Sequence, residues 1–367
     1  MKLRGMHRLG DAARGARCLL AIGLAALLTA CAAPATQRVQ VSDEATKAEA
    51  ARQMEIAVSE MVDEQKRISR VYRPLATKAN SLCGDLVGPD VGLYSMTKPK
   101  GATGPVLESK YGIGERRTVL FVLESSPADA AGIKPRDVIR SINGVRTSDS
   151  EGLIALYENV RPEDPLTYEI ERSGETLSIV VKPERACRFP ITLGPQQTIN
   201  AFADGKQIVI TRGMVNFTRN DDELALVISH EMAHNIMKHI EARKQNVGLG
   251  VLADIALILL SRGQVNPNIS QVAGGAYSQE FEAEADYVGL YVMAQAGMPI
   301  ADAPKFWRRM AAAHPANIKT NHSASHPSTA YRMVALEEAV KEIDDKRQKG
   351  EALVPNMVDG KYKGPTK

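Results

Sequence analysis

Residues 230–234 read His230-Glu231-Met232-Ala233-His234, an H-E-x-x-H pattern inside a predicted amphipathic helix. Two histidines four residues apart project from one face of a helix, so both imidazoles can reach a single tetrahedral metal ion. The Glu between them can take a proton from a water on that metal. The pattern therefore predicts a catalytic Zn²⁺ centre in which Glu231 is the general base.

The neighbouring sequence predicts where this helix begins and what it buries. Asn220 and Glu223 have the spacing of a capping box, which satisfies free N–H groups at a helix start. Apolar residues recur at helical spacing along one face. They are Leu224, Val227, Ile228, Met232 and Ile236. We expect this face to pack against the core.

A second stretch, residues 278–286, offers the third protein ligand that a catalytic zinc requires. Its acids and amides could form a solvated helix face, which is the usual interpretation of such a run. An apolar side accompanies them, however, formed by Phe281, Ala285, Val288, Gly289 and Val292. Glu282 and Asp286 are four residues apart beside that apolar side. This spacing lets Glu282 bind the metal while Asp286 orients a ligand imidazole.

The order of these motifs resembles the zinc metallopeptidase family that includes the CAAX prenyl endopeptidases, HtpX and BepA. H-E-M-A-H is followed by F-E-A-E-A-D, and the resemblance also covers N-A-F-A at residues 200–203, I-x-I-T-R-G at 208–213 and H-P-x-x-x-x-R at 326–332. It implies an α+β fold, with a mainly helical metallopeptidase domain and a small β-sheet. It also implies that the second strand, residues 207–211, borders the cleft and pairs with an extended substrate.

The same resemblance assigns site residues. It implies one Zn²⁺ per chain on His230, His234 and Glu282, rather than on Glu280 or Glu284. Asp286 would support a ligand histidine. His326 and Arg332 become candidates to stabilise the oxyanion or to gate the zinc.

Residues 1–30 predict a targeting segment, since five basic side chains precede an apolar run too short to span a bilayer. The run ends in Leu28-Thr29-Ala30-Cys31, which resembles the lipobox of bacterial lipoproteins and implies a lipidated Cys31 in the periplasm. A plain signal peptide cut near Ala33 is the alternative. Ala32 is not the Asp of inner-membrane retention, so attachment to the outer membrane is favoured. Without residues 1–30 the chain has 41 basic and 42 acidic side chains, which gives no reason to expect nucleic-acid binding.

Two further cysteines, Cys83 and Cys187, remain as thiols in an oxidising compartment, and such a pair predicts a disulfide. They flank a segment of different character. Residues 125–144 resemble the S-P-A-x-x-A-G core of PDZ domains, with Arg136 in place of the usual Gly. Strands are predicted at 119–123, 138–142, 166–170 and 177–181, and a helix at 150–159. The disulfide would close the base of this insert.

PDZ domains bind a peptide, often a C-terminus, by adding it as a strand beside a loop of backbone N–H groups. Two segments qualify for this loop. Tyr111-Gly112-Ile113-Gly114 is preferred over Val91-Gly92-Leu93-Tyr94. The alternative is a structural spacer whose groove binds nothing.

The chain is thus predicted to contain six segments. These are a lipoprotein signal peptide at 1–30, a linker at 31–43, the first helix of the peptidase domain at 44–87, a PDZ-like domain at 88–183, the zinc metallopeptidase domain at 184–345 and a disordered tail at 346–367. An apolar stretch at 247–260 is predicted to be a buried helix over the active site.

These features predict a lipid-anchored periplasmic zinc metalloendopeptidase for envelope protein quality control, which acts on unfolded or misassembled envelope proteins. The alternative is a chaperone or adaptor for outer-membrane protein assembly with a self-inhibited or structural zinc site. A closed site would need a fourth protein ligand, and His322 or His326 could supply one.

Overall fold

The structure is a computed structural model that describes residues 39–245, 279–313 and 330–358, together with positions 36, 252 and 257. The predicted signal peptide, Cys31, His322, His326 and most of the apolar stretch at 247–260 lie outside these residues. The described residues from Gln53 onward form one compact unit. Among the helices described, none has the length and apolar character needed to cross a lipid bilayer.

Helices and strands alternate along the described chain in an α+β arrangement, as the sequence predicts. The helices are α1 (Asp43–Lys78), α2 (Gly104–Tyr111), α3 (Pro127–Ala130), α4 (Ser150–Asn159), α5 (Arg212–Phe217), α6 (Asp221–Ile236), α7 (Gln279–Gln295), α8 (Ala303–Ala313) and α9 (Ala330–Lys349). The strands are β1 (Val87–Asp90), β2 (Leu93–Met96), β3 (Thr118–Val122), β4 (Val138–Ile142), β5 (Val145–Arg146), β6 (Leu166–Arg172), β7 (Glu175–Val181), β8 (Glu184–Cys187), β9 (Ile191–Gly194), β10 (Ala201–Ala203) and β11 (Ile208–Thr211).

The insert has its own sheet and its own core. The strand order is β2-β3-β4-β6-β7, with β5 paired to β4, and β2 and β7 are the edges. Alternate residues of β6 are buried, since one face of the sheet packs inward. The core contains Val119, Ile139, Ile142, Leu166, Tyr168, Ile170 and Val181. Strands and the α4 helix lie where the sequence places them.

Arg136, which replaces the usual Gly of the PDZ pattern, keeps the backbone conformation of a glycine. Its φ is 73°, in the left-handed region that costs energy for a residue with a side chain. Its guanidinium donates a hydrogen bond of 2.7 Å to the carbonyl of Lys110, in the last turn of α2. This long-range bond offsets part of the backbone cost.

Both connections between the insert and the rest of the chain run side by side. Strands β1 and β8 pair antiparallel, with Val87 opposite Cys187 and Asp90 opposite Glu184. The predicted disulfide between Cys83 and Cys187 is present, with a Cα–Cα distance of 5.7 Å. Arg73 of α1 donates to Asp90 at 2.8 Å and to Glu184 at 2.7 Å, one contact on each strand. The base of the insert is therefore fixed by a covalent bond, a β-ribbon and a shared ion pair.

The three-stranded sheet differs from expectation in two ways. Its order is β10-β11-β9, so β11 is central and cannot pair with a substrate strand; in the described chain β10 has only one partner and a free edge. Asp-Gly is typical of a two-residue type I′ hairpin turn, but Asp204 and Gly205 lie in a four-residue loop between β10 and β11. The Asp204 carboxylate accepts hydrogen bonds from the N–H groups of Lys206 and Gln207, which fixes this longer loop.

Helix α6 starts as predicted but is buried on all sides. The Asn220 side chain caps the N–H of Glu223 at 2.9 Å, and the Glu223 carboxylate accepts from the N–H of Arg219. Every residue from Leu224 to Ile236 is buried, so the predicted amphipathic helix has no solvent face. Helix α7 is packed against it.

Gly289 permits the close approach of these two helices. A Cβ built at Gly289 would lie 3.1 Å from the backbone N of His230, tighter than nearly all real contacts. Because the neighbouring atoms are helix backbone, they have little freedom to move away. The glycine therefore sets the distance between the helix that carries the histidines and the helix that carries Glu282.

The tail is ordered further than predicted. Helix α9 continues to Lys349, and residues 351–358 return along the helices. The Leu353 carbonyl accepts from Gln295 at 2.7 Å, and Lys346 donates to the Val354 carbonyl at 2.7 Å. The prediction of disorder from residue 346 is therefore wrong for residues 346–358, because these polar contacts and a few apolar groups hold the segment.

The disulfide should contribute strongly to stability. It closes a loop with a sequence separation of 104, which in the chain-entropy model stabilises by roughly 4–5 kcal/mol. We expect the Cys83→Ala/Cys187→Ala variant to lose a large part of this free energy of unfolding in urea titration. Reduced wild-type protein is the matched control and should lose about as much. Equal unfolding midpoints for all three would show that the ribbon and Arg73 alone fix the insert.

Candidate metal centre

Three predicted ligands meet between α6 and α7. The Nε2 atoms of His230 and His234 are 3.1 Å apart. Glu282 places Oε2 at 3.4 Å from the first and Oε1 at 3.4 Å from the second. All three side chains are buried, and their ligand atoms lie within 4.8 Å of one another. Glu280 is exposed, and Glu284 faces another residue. Two imidazoles and one carboxylate are the donor set of catalytic zinc sites, and the residues fit that ion.

Asp286 holds the first histidine from behind. Its Oδ1 lies 3.0 Å from His230 Nδ1, on the side of the ring away from Glu282. The same carboxylate accepts two hydrogen bonds from Arg332, from Nε at 2.7 Å and from Nη2 at 2.9 Å. Arg332 Nη1 also lies 3.1 Å from Glu282 Oε2. One guanidinium therefore contacts both the ligand carboxylate and the carboxylate that orients a ligand histidine.

These contacts set the charges of the cluster. Burial alone would lower the pKa of His230, but hydrogen bonds to Asp286 and Glu282 outweigh it and raise that pKa to about 9. Burial raises the pKa of Asp286, yet the Arg332 charge and the His230 contacts hold it below its ordinary value. Arg332 keeps its charge, since the two carboxylates outweigh the effect of burial and raise its pKa. A histidine nitrogen must lack a proton to bind zinc, so zinc and a proton compete for His230.

Trp307 of α8 lies against the metal centre, although a Trp beside Phe306 in sequence is typical of an ordinary core residue. Its ring centroid is 5.1 Å from that of His230. The Arg332 guanidinium carbon lies 5.2 Å from the same indole, a cation–π geometry. Nothing in the linear sequence connects this residue with the metal ligands, because α8 reaches them only through the tertiary fold.

His239 and Glu284 also escape prediction from sequence. His239 is buried with Nδ1 2.9 Å from His234 Nδ1 and Nε2 2.8 Å from Glu284 Oε2. Helical spacing does not place His239 beside His234, since α6 ends at Ile236 and Lys238 adopts a left-handed φ of 55°. The helix is interrupted there, and His239, just beyond the interruption, contacts His234.

Two further residues that are predicted to take part in catalysis, Glu231 and Arg332, also lie at this centre. Arg332 is buried and engaged with two carboxylates, which favours a positioning role over contact with an oxyanion. Glu231 is buried beside the ligands on α6. His326 lies outside the described residues, so its role stays a prediction.

The preferred peptide-binding loop, residues 111–114, has two of its backbone N–H groups engaged within the insert. Tyr111 ends α2, and Gly112 caps that helix through its N–H. Ile113 is fully buried, and its N–H is bonded to the Leu107 carbonyl. These groups are used inside the fold. The other candidate, residues 91–94, leads directly into the edge strand β2.

Comparison with known protein families matches two segments of the chain. Residues 188–340 match peptidase family M48, and residues 96–182 match the PDZ domain family. The chain contains an M48 peptidase domain and a PDZ domain. The M48 match spans both the H-E-x-x-H helix and α7, the two elements that supply the zinc donor set.

Several curated proteins are similar to parts of the chain. The mitochondrial metalloendopeptidase OMA1 of Schizosaccharomyces pombe is 31% identical over 166 residues, which cover 41% of this chain and 46% of that protein. The beta-barrel assembly-enhancing protease of Yersinia pestis is 29% identical over 214 residues, 51% of this chain and 44% of that protein. The chain spans less than half the length of these relatives.

Among solved structures, the HtrA3 PDZ domain bound to a phage-derived ligand is similar to part of the chain. It is 24% identical with a TM-score of 0.22, and the match covers 27% of this chain and 88% of that one.

Substitution of Arg332 tests its role at the M48 centre. Arg332→Met leaves buried carboxylates without their counter-ion, so we expect about 3–5 kcal/mol of destabilisation in urea titration. Arg332→Lys keeps the charge but cannot bind Asp286 through two nitrogens, and zinc affinity should fall about 10–100-fold. Arg308→Lys, at an exposed ion pair of α8, is the control and should change little. A loss of turnover with unchanged zinc affinity would instead indicate oxyanion contact.

Proposed function

We propose that this chain is a zinc metalloendopeptidase. The observation that supports it is the convergence of buried His230, His234 and Glu282, with Glu231 on the same helix between the two histidines. Bound Zn²⁺ supplies Lewis acidity, which polarises a carbonyl oxygen and acidifies a water. The family match and the names of the relatives support the same activity.

The chain's own residues carry out the proton transfers. The Glu231 carboxylate takes a proton from the attacking water while the water oxygen bonds to the scissile carbonyl carbon. Glu231 then gives that proton to the amide nitrogen as the C–N bond breaks, so a carboxylic acid and an amine are released. Asp286 and Arg332 hold His230 and Glu282 in place during these steps.

The free edge of β10 supports an extended polypeptide as the substrate. This strand is packed against α6, and Asn235, the residue after His234, accepts a hydrogen bond from the N–H of Gly205 in the β10–β11 loop. Phe202 is exposed on β10. A substrate segment added to this edge would run beside the helix that carries the histidines. A second segment could add to β2 of the PDZ domain.

The biological setting follows from the N-terminal sequence and from one group of relatives. The predicted lipoprotein signal places the mature chain in the periplasm, attached by Cys31 to a membrane, with the outer membrane favoured. Relatives named beta-barrel assembly-enhancing protease support unfolded or misassembled envelope proteins as substrates.

Glu231→Gln tests the proposed reaction. The amide cannot accept the water proton, so cleavage of an unfolded protein such as reduced casein should fall at least about 100-fold. Zinc affinity and melting temperature should stay at the wild-type values, because Gln occupies the same volume. Glu280→Gln, on the exposed side of α7, is the control and should cleave normally. Undiminished cleavage by Glu231→Gln would refute the mechanism, and a wild type that binds zinc but cleaves nothing would favour the adaptor.

Cys31→Ser tests the anchor. We expect wild-type protein in the membrane fraction, with lipid on Cys31 by mass spectrometry. The Ser variant cannot form the thioether and should appear in the soluble fraction or keep its signal segment. Ala33→Ser, two residues later, is the control and should remain anchored. An unmodified Cys31 in mature wild-type protein would remove the anchor from this proposal.

A further inference from the structure

The two ligand histidines are supported in different ways. His230 has a carboxylate, Asp286, directly behind its ring. His234 instead has a second imidazole behind it, with His239 Nδ1 at 2.9 Å from His234 Nδ1. Glu284 then lies behind His239, with Oε2 at 2.8 Å from Nε2. The second ligand is thus connected to a carboxylate through an intervening ring.

The chemistry of metal ligation fixes which group donates in each of these two hydrogen bonds, His234–His239 and His239–Glu284. His234 Nε2 faces His230 and Glu282, so this is the nitrogen that must lack a proton to bind zinc. The proton of the neutral His234 ring then lies on Nδ1, which donates to His239 Nδ1. His239 Nδ1 must present a lone pair. Its own proton therefore lies on Nε2, which donates to the Glu284 carboxylate.

The surrounding packing holds His239 in the orientation that this arrangement needs. The Phe281 ring is stacked on the His239 ring, with centroids 4.6 Å apart and planes 13° from parallel. Phe281 and Glu284 are three residues apart on α7, so one side of that helix contacts both the face and the edge of the imidazole. His239 itself is 1% exposed, whereas the Glu284 side chain is 42% exposed.

We propose that His239 and Glu284 are positioning residues of the zinc site, which select the tautomer and the orientation of His234. This inference rests on the zinc centre of the proposed function. His239 is not a ligand, since it lies on the Nδ1 side of His234, away from Glu282. The Asp286–Arg332 pair behind His230 is buried, whereas the contacts behind His234 end at Glu284, a carboxylate that is partly exposed to solvent.

The direct test measures zinc affinity by competition with a chelator, using zinc alone as the probe. His239→Ala removes the acceptor of the His234 Nδ1 proton, and affinity should fall about 10–100-fold. Glu284→Ala should reduce affinity about tenfold, at the low end of that range. Glu280→Ala is the matched control, an exposed Glu on the same helix, and should bind zinc like the wild type. Wild-type affinity in both His239→Ala and Glu284→Ala would overturn the proposal.

Two further variants separate positioning from loss of packing. His239→Asn retains an oxygen that can accept the Nδ1 proton, so most of the affinity lost in His239→Ala should return. In the double variant His239→Ala/Glu284→Ala the loss should equal that of His239→Ala alone, because Glu284 acts only through His239. Additive losses would overturn the arrangement. If His239→Ala does not fold, the partly exposed Glu284 still carries the test, through Glu284→Ala and Glu284→Gln.

Spectroscopy tests the tautomers independently of affinity. In zinc-loaded protein with ¹⁵N-labelled histidine, we expect His234 to carry its proton on Nδ1 and His239 on Nε2. A proton on His239 Nδ1, or on both of its nitrogens, would contradict the proposed direction. If the wild type binds no zinc, the proposed function fails. If the wild type binds zinc and all the variants bind it equally well, only the positioning role fails.

Discussion

The contact between Arg332 and Asp286 joins three helices at the metal centre. Arg332 is on α9, Asp286 on α7, and the carboxylate reaches His230 on α6. Each of these charged groups is buried, and removing one partner of a buried ion pair is far more costly than the pair is stabilising. Loss of either partner would leave an unpaired charge in the core, so the packing of α6, α7 and α9 is coupled to the geometry of the donor set.

A buried ion pair of this kind fixes the positions of the ligand side chains more than it stabilises the fold. Desolvation offsets much of the attraction within an ion pair, and apolar residues could fill the same volume at little cost. What the pair supplies is a fixed direction: the planar guanidinium binds one carboxylate through two nitrogens and lies beside a second. Gly289 has a comparable effect on distance, because the missing Cβ lets α7 approach the backbone of His230.

The attachment of the PDZ domain follows the same principle on a larger scale. A disulfide alone would leave rotation about its bonds, and a two-stranded ribbon alone is marginally stable. Together with Arg73, which contacts both strands, they tie the domain to α1 at several points. The domain is therefore placed firmly relative to the peptidase core. Its edge strand β2 and the peptidase edge strand β10 each have one partner within the described residues.

Much of this protein can be predicted from sequence because the deciding contacts are local. Two histidines one helical turn apart must share a face, and the same spacing puts Glu282 and Asp286 together. The Asn220 side chain caps α6 by a hydrogen bond to a residue only three positions away. The strands of the PDZ domain follow from the alternation of apolar and polar residues and from the turn residues between them. The Cys83–Cys187 pair also follows from counting, since the predicted removal of Cys18 and lipidation of Cys31 leave no other thiol.

Other features depend on residues far apart in the chain, and only the tertiary structure decides them. Trp307 reaches His230 through α8, and His239 reaches His234 because the helix is interrupted at Lys238. Strand β11 is central because β9 pairs with it in parallel, and β9 precedes the β10–β11 hairpin in the sequence. The fold also decides that Gly112 caps α2, because a glycine in sequence suits a helix cap as well as a binding loop. A sequence pattern specifies which conformations a segment can adopt, and its partners in the fold select one of them.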